Sequence, residues 1–118
     1  MAINNALASL AVKDLRASAQ WYQVLLGRPA DSTPMPEVAE WKFERGGWLQ
    51  VYQNKERAGA GSVTLAVSDV DEQVAALKRI GINPGRTMDG PKVKVVMIRD
   101  PDGNSIAFAQ AKDSGMAQ

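Results

Sequence analysis

The stretch LAVKDL, Leu10–Leu15, returns later in the chain as LAVSDV, Leu65–Val70. An internal repeat is read before any single element, because it sets the organisation of the whole chain. The parallel continues beyond the quoted residues. Leu15, Ala19, Tyr22, Leu25 and Leu26 form a stripe after the first copy; Val70, Val74, Leu77, Ile80 and Gly81 fall at the same offsets after the second. Both stripes have the three-and-four spacing of an amphipathic helix. Asp14 and Asp69 stand at the N-cap position, where a carboxylate accepts from the first unpaired amides. Lys78 and Arg79 suit a helix C-terminus, and Gly27 and Gly81 end the two stripes. Catalytic acids are the other reading of Asp14 and Asp69; capping explains both more simply.

Each predicted helix leads through a proline-bearing connector to two extended runs. In the first half these are AEWKFER and WLQVYQ, joined across Gly46-Gly47; in the second they are KVKVVMIR and SIAFAQ, joined across DPDGN. A further short strand is expected after each helix, near Arg28–Ala30 and Ile82–Pro84. TPMPE, Thr33–Glu37, reads as a proline-stiffened loop, either a lid or a connector. The expected organisation is one domain: module 1 at about 5–53, a polar linker at 54–61, module 2 at about 62–110, and an unpacked tail at 111–118. The fold class is α+β, with two tandem βαβββ modules forming curved sheets, each backed by a helix.

Strand alternation assigns the faces. Ala8, Leu10 and Val12 oppose Leu7, Ser9 and Ala11; in the repeat Val63, Leu65 and Val67 oppose Ser62, Thr64 and Ala66. The bulky faces belong against the helices, and the smaller, more polar faces would line a cleft if the sheets face each other. Trp48, Gln50 and Tyr52 share one face of their strand. Trp41 and Phe43 share a face of its partner, and the hairpin loop decides which. A three-residue turn sends them to the core and a two-residue turn to the other side. The core is the expectation, since otherwise Lys42 and Glu44 would face the helix. Pairing across DPDGN puts Val95, Met97 and Arg99 with Ser105, Ala107 and Ala109, leaving Val96, Ile98, Ile106 and Phe108 for the core.

Composition narrows the function classes. The 118 residues are 45% hydrophobic and 23% charged, with a net charge of +1, which gives no electrostatic footprint for nucleic acid. No apolar run reaches the length of a membrane span. ALASLAV is briefly apolar but runs into Lys13 and Asp14 and makes a poor signal peptide. The absence of cysteine excludes thiolate chemistry and fits a cytoplasmic protein. The absence of histidine removes the commonest transition-metal ligand and the easiest proton carrier near neutral pH.

This layout, with VKDLRASAQWYQVLLG early and DPDGNSIAF late, resembles the vicinal oxygen chelate superfamily, which includes the glyoxalases, bleomycin-resistance proteins and extradiol dioxygenases. The resemblance covers roughly Leu7–Gln110. It implies a homodimer, and in metal-using members it implies four ligand positions, which here hold Leu7, Gln50, Ser62 and Ala107. That set has no carboxylate and no imidazole, so no metal and no cofactor are expected.

The remaining motifs have simpler readings. Asp100, Asp102 and Asn104 match the start of a calcium loop, but Ser105 replaces the required glycine and Ala111 the closing glutamate. A tight turn is the better account. GAG, Gly59–Gly61, precedes a strand rather than a helix and makes a poor phosphate cradle. Lys92 and Lys94 read as a solvated face or edge guard. The expected ligand-binding residues are Ser9, Trp48, Gln50, Tyr52, Ser62, Thr64, Met97, Arg99 and Ala107, an apolar and aromatic surface with a few polar points. The expected function is metal-free binding of a small aromatic or amphipathic compound. A metal-free isomerase or lyase acting on a small carbonyl compound is the alternative, with Tyr52 as proton donor and Arg99 as oxyanion stabiliser, although no base is evident on these faces. A structural or regulatory dimer module is the third reading.

Overall fold

The computed structural model describes residues 2–112. Along the chain lie β1 (Leu7–Val12), α1 (Leu15–Leu26), β2 (Ser32–Met35), β3 (Val38–Lys42), β4 (Trp48–Gln53), β5 (Ser62–Ala66), α2 (Val70–Arg79), β6 (Met88–Asp89), β7 (Val93–Arg99) and β8 (Ser105–Ala111). They form two units. The first holds the chain up to Gly61 together with Pro101–Asn104; the second holds Ser62–Asp100 and the chain from Ser105 onward. Each contains one helix and one four-stranded sheet, ordered β1-β4-β3-β2 in the first and β5-β8-β7-β6 in the second. In both, the first strand pairs in parallel with the last, and the other pairings are antiparallel. The repeat in the sequence is therefore a repeat in topology, two βαβββ-like modules.

Both helices start on the predicted aspartates. Asp14 Oδ1 accepts from the amides of Arg16 at 3.0 Å and Ala17 at 3.5 Å, and Asp69 Oδ1 from Glu72 at 3.2 Å. Each helix has a second cap that the pattern did not announce. Gln53, ending β4, accepts from the Leu15 amide at 3.0 Å, and Gln110, near the end of β8, accepts from the Val70 amide at 2.9 Å. Three of the orphan donors at the N-terminus of α1 and two at that of α2 are thereby met, one in each case by the strand that pairs with the helix's own lead-in. At the other end Gly27 adopts φ 77° and Gly81 φ 80°. Around Gly81 the amides of Gly81 and Ile82 bond to the carbonyls of Lys78 and Leu77, the paired arrangement that closes a helix through a left-handed residue.

In the first unit α1 packs on β3 and β4. Leu15, Ser18, Tyr22 and Leu25 are buried on it. The hairpin between β3 and β4 has the three-residue loop: Phe43 and Gly47 bond across it, and Gly46 sits at φ 98°. Trp41 therefore stands opposite Leu49 and Ala39 opposite Val51, all four buried as expected of the core face. The Trp41 ring lies 6.0 Å from that of Tyr22, and its indole N–H donates to the Arg28 carbonyl at 3.0 Å. Phe43 is half-buried near the loop.

In the second unit α2 packs on β7 and β8. Leu77, Val96 and Ile106 are fully buried, with Ile98 and Phe108 beside them. The register across DPDGN, Arg99 opposite Ser105 and Ile98 opposite Ile106, is the one alternation demands. Lys94 does not guard an edge. It shares the helix side with Val96 and Ile98, and its Nζ reaches Asp71 on α2 at 2.8 Å. Its long apolar stem lets a cation sit at the margin of a core.

The short strands lie downstream of their expected places. Arg28–Ala30 and Ile82–Pro84 are connectors, and the strands are β2 at Ser32–Met35 and β6 at Met88–Asp89. TPMPE is accordingly not a loop. Thr33–Met35 is strand, and Pro36 and Glu37 form the turn into β3. Pro34 is tolerated because β2 is the outer strand and its register shifts between Ser32 and Met35, so no ladder amide is required there. Ala111 extends β8, and the Lys112 amide bonds to Lys92; the rest of the tail expected at 111–118 lies outside the described residues.

DPDGN is a turn, and more than a turn. Asn104 is fully buried; its Oδ1 accepts from the Gly61 amide at 2.9 Å and its Nδ2 donates to the Ala11 carbonyl at 2.8 Å. Asp102 accepts from the Lys13 amide at 3.1 Å. GAG is the other side of this contact. A Cβ on Gly59, at φ 86°, would lie 2.2 Å from the Asp102 carbonyl oxygen, and one on Gly61 would meet Leu10 at 2.8 Å. At Gly59 glycine is needed for close approach of backbone to backbone; at Gly61 it leaves room for the Leu10 and Asn104 side chains.

Candidate functional site

The face of the first sheet opposite α1 carries a row of polar side chains at one level. Ser9 on β1 stands beside Gln50 on β4, and Gln50 beside Glu40 on β3. The Ser9 hydroxyl donates to Gln50 Oε1 at 3.1 Å, and Gln50 Nε2 donates to Glu40 Oε2 at 2.9 Å. Trp48 and Tyr52, both half-buried, flank Gln50 along β4. Trp48 is paired with Leu7 on β1 and with Lys42 on β3; the Lys42 ammonium lies 5.8 Å from the Trp48 ring centroid. Four expected residues, Ser9, Trp48, Gln50 and Tyr52, thus share one surface, and two of them are hydrogen-bonded.

Glu40 is the residue that sequence reading missed. It is a carboxylate on the face judged to lack one. Its position follows from the hairpin: once Trp41 belongs to the core, Glu40 and Lys42 turn together to the other side.

In the second unit the corresponding face holds two rows. Ser62, Ser105 and Arg99 are aligned in one, and Thr64, Ala107 and Met97 in the next. The five remaining expected residues therefore share this face. Met97, Arg99, Ser62 and Thr64 are exposed and Ala107 is half-buried. A separate groove of about 300 Å³ lies against α2 between Val67, Asp69, Glu72 and Arg79. It is on the helix side, and its Asp69 is occupied in capping, so the sheet faces remain the better candidates.

The charged groups with displaced protonation are not members of these rows. Asp31 is held below its ordinary value by the Arg28 guanidinium and by the Lys42 amide, which donates at 2.7 Å. The Lys112 ammonium lowers Asp89, and Asp71 raises Lys94. Each tie joins neighbouring elements and is structural in character.

The glyoxalase-like domain profile matches residues 8–109. The chain belongs to this family. Among solved structures, a glyoxalase/bleomycin resistance protein from Catenulispora acidiphila is 32% identical, with 91% of this chain and 97% of that one covered and a TM-score of 0.82. TnmS3, an antibiotic binding protein from a Streptomyces species, shares the fold at 22% identity, 95% and 99% coverage and a TM-score of 0.79. So does the bleomycin-binding protein of bleomycin-producing Streptomyces verticillus, in complex with copper(II)-bleomycin, at 19% identity, 96% and 99% coverage and a TM-score of 0.77. No curated protein matches the chain.

Within this glyoxalase-like, vicinal oxygen chelate framework, the four positions that hold metal in metal-using members can be tested against the donors present. Leu7 and Gln50 share the face of the first sheet, and Ser62 and Ala107 share that of the second. Leu7 and Ala107 offer no donor atom. Gln50 already has both ends of its amide engaged. Among the described residues no three His, Cys, Asp or Glu side chains gather where they could hold a metal ion. A divalent catalytic metal, which needs several nitrogen or carboxylate donors, does not fit this set.

Proposed function

We propose that this glyoxalase-like protein binds a small aromatic or amphipathic molecule on the sheet faces opposite its helices, without a metal. The observation that carries the reading is the row Ser9–Gln50–Glu40 bordered by Trp48 and Tyr52. It joins ring surface for a flat apolar body to hydrogen-bonding groups that orient it, the ordinary make-up of a small-molecule site. Ser62, Thr64, Met97, Arg99 and Ala107 add a second surface of the same mixed kind. The antibiotic-binding proteins that share the fold support the reading, as does the misfit of the metal positions. A homodimer and a cytoplasmic setting belong to the same proposal, and sedimentation at micromolar concentration tests the first.

Titration of a panel of aromatic compounds, followed by tryptophan fluorescence, tests the binding. Trp41 is sealed in the core and Trp21 sits on α1, on the helix side of the sheet, so Trp48 should dominate any response. At least one compound should bind with a micromolar constant, and Trp48→Ala should weaken it by about tenfold. Silence across the panel from a folded protein would refute the proposal.

Glu40 also favours a second reading, a metal-free isomerase or lyase for small carbonyl compounds, because it supplies a carboxylate beside Tyr52's strand. Turnover abolished by Glu40→Gln would establish it.

A further inference from the structure

The geometry points to Glu40 as the residue that selects the charge of the ligand: the first sheet takes molecules whose apolar or aromatic body carries a hydrogen-bond-donating cation, an ammonium, amidinium or guanidinium. This inference rests on the binding reading and adds to it a substrate class.

Three observations carry it. First, the polar row has a single direction. A carboxylate can only accept, so Gln50 must turn its NH2 to Glu40 and its carbonyl to Ser9, whose hydroxyl then donates. The row ends on an acceptor. Second, that acceptor is underused. A carboxylate has about four lone-pair sites, and among the described residues Gln50 is the one donor to the Glu40 carboxylate, and Glu40 is itself only half-buried. Third, its charge is not neutralised. The ion pairs among the described residues are Arg28–Asp31, Lys94–Asp71 and Lys112–Asp89, and none includes Glu40. Lys42, two residues along on the same side of β3, lies over Trp48 instead. An anionic ligand group placed on this row would meet a like charge. A protonated amine would meet a charge-assisted acceptor, with Trp48 and Tyr52 beside it for the ring.

A matched pair of probes tests this on the full chain: 2-naphthylmethylamine and 2-naphthoate, which share a ring and differ in charge, titrated by calorimetry at neutral pH. The amine should bind at least about tenfold more tightly than the carboxylate, and should shift the Gln50 side-chain amide resonances in a nitrogen-15 spectrum. Glu40→Gln keeps an acceptor for Gln50 and should abolish the preference with the melting temperature little changed. Glu37→Gln, which removes an exposed carboxylate from the neighbouring turn, should keep it. Equal affinities in the unmodified protein, or a preference that survives in Glu40→Gln, would overturn the assignment of Glu40 while leaving the binding proposal standing. Failure of both probes to bind would overturn both.

Discussion

Asn104 shows how much one side chain in a turn can hold. As a residue of DPDGN it needs only to favour a tight reversal, yet it is fully buried and bonds to two main-chain groups far away in sequence, at Gly61 and Ala11. Removing it would take the partner from a part-buried N–H and from a buried C=O. Asn104→Ala should therefore cost about 2–4 kcal/mol, read as a lower urea midpoint with an unchanged slope. The neighbouring glycines answer to the same contact, since Gly59 and Gly61 leave room for the turn to dock. Glu40 is the counterpart at the site. Its side-chain direction was implied once Trp41 was sent to the core, but its hydrogen bond to Gln50 depends on the β3–β4 register, which the loop length decides.

At the scale of elements, the helices are where sequence reading served best. Caps and terminal glycines are local and are found in place; the stripes are buried at Leu15, Tyr22, Leu25, Val70 and Leu77, while Ile80 ends the second one exposed. The second cap of each helix is not local: Gln53 and Gln110 act through strand pairing, and nothing in VYQ or FAQ marks them. The short strands β2 and β6 were displaced for a related reason. A strand of two to four residues has too little alternation to locate itself, and its neighbour sets its position. Asp31 ties this region together, accepting from Arg28 and from the Lys42 amide on β3. Its carboxyl is held below the ordinary 3.8, first by Arg28 and then by that amide. A depressed acid stabilises the fold fully above its unfolded value and loses that contribution as pH falls through the folded one. Asp31→Asn should thus flatten part of the acid limb below Asp31's ordinary value of 3.8, measured by urea midpoints across the acid range, and change little at neutral pH beyond a constant offset.

Over the whole molecule, the framework is shared with proteins whose activities differ, so the donor atoms it presents decide what it can do. Here the four metal positions hold Leu7, Gln50, Ser62 and Ala107. A protein whose native state bound zinc, nickel or manganese tightly would melt higher in excess metal, by linkage. For this chain, near-stoichiometric additions of any of the three should leave the melting temperature unchanged, and a clear rise would show donors outside those positions.

By itself the sequence determined the two modules, the helices with their caps, and the face of each long strand, because repeat, periodicity and capping are written in residues close together along the chain. Only the tertiary structure decided where β2 and β6 form, that Gln53 and Gln110 cap helices, that Asn104 anchors a distant strand, and that Glu40 receives Gln50. Those outcomes depend on register and close approach between segments dozens of residues apart, and a linear pattern carries no measure of that distance.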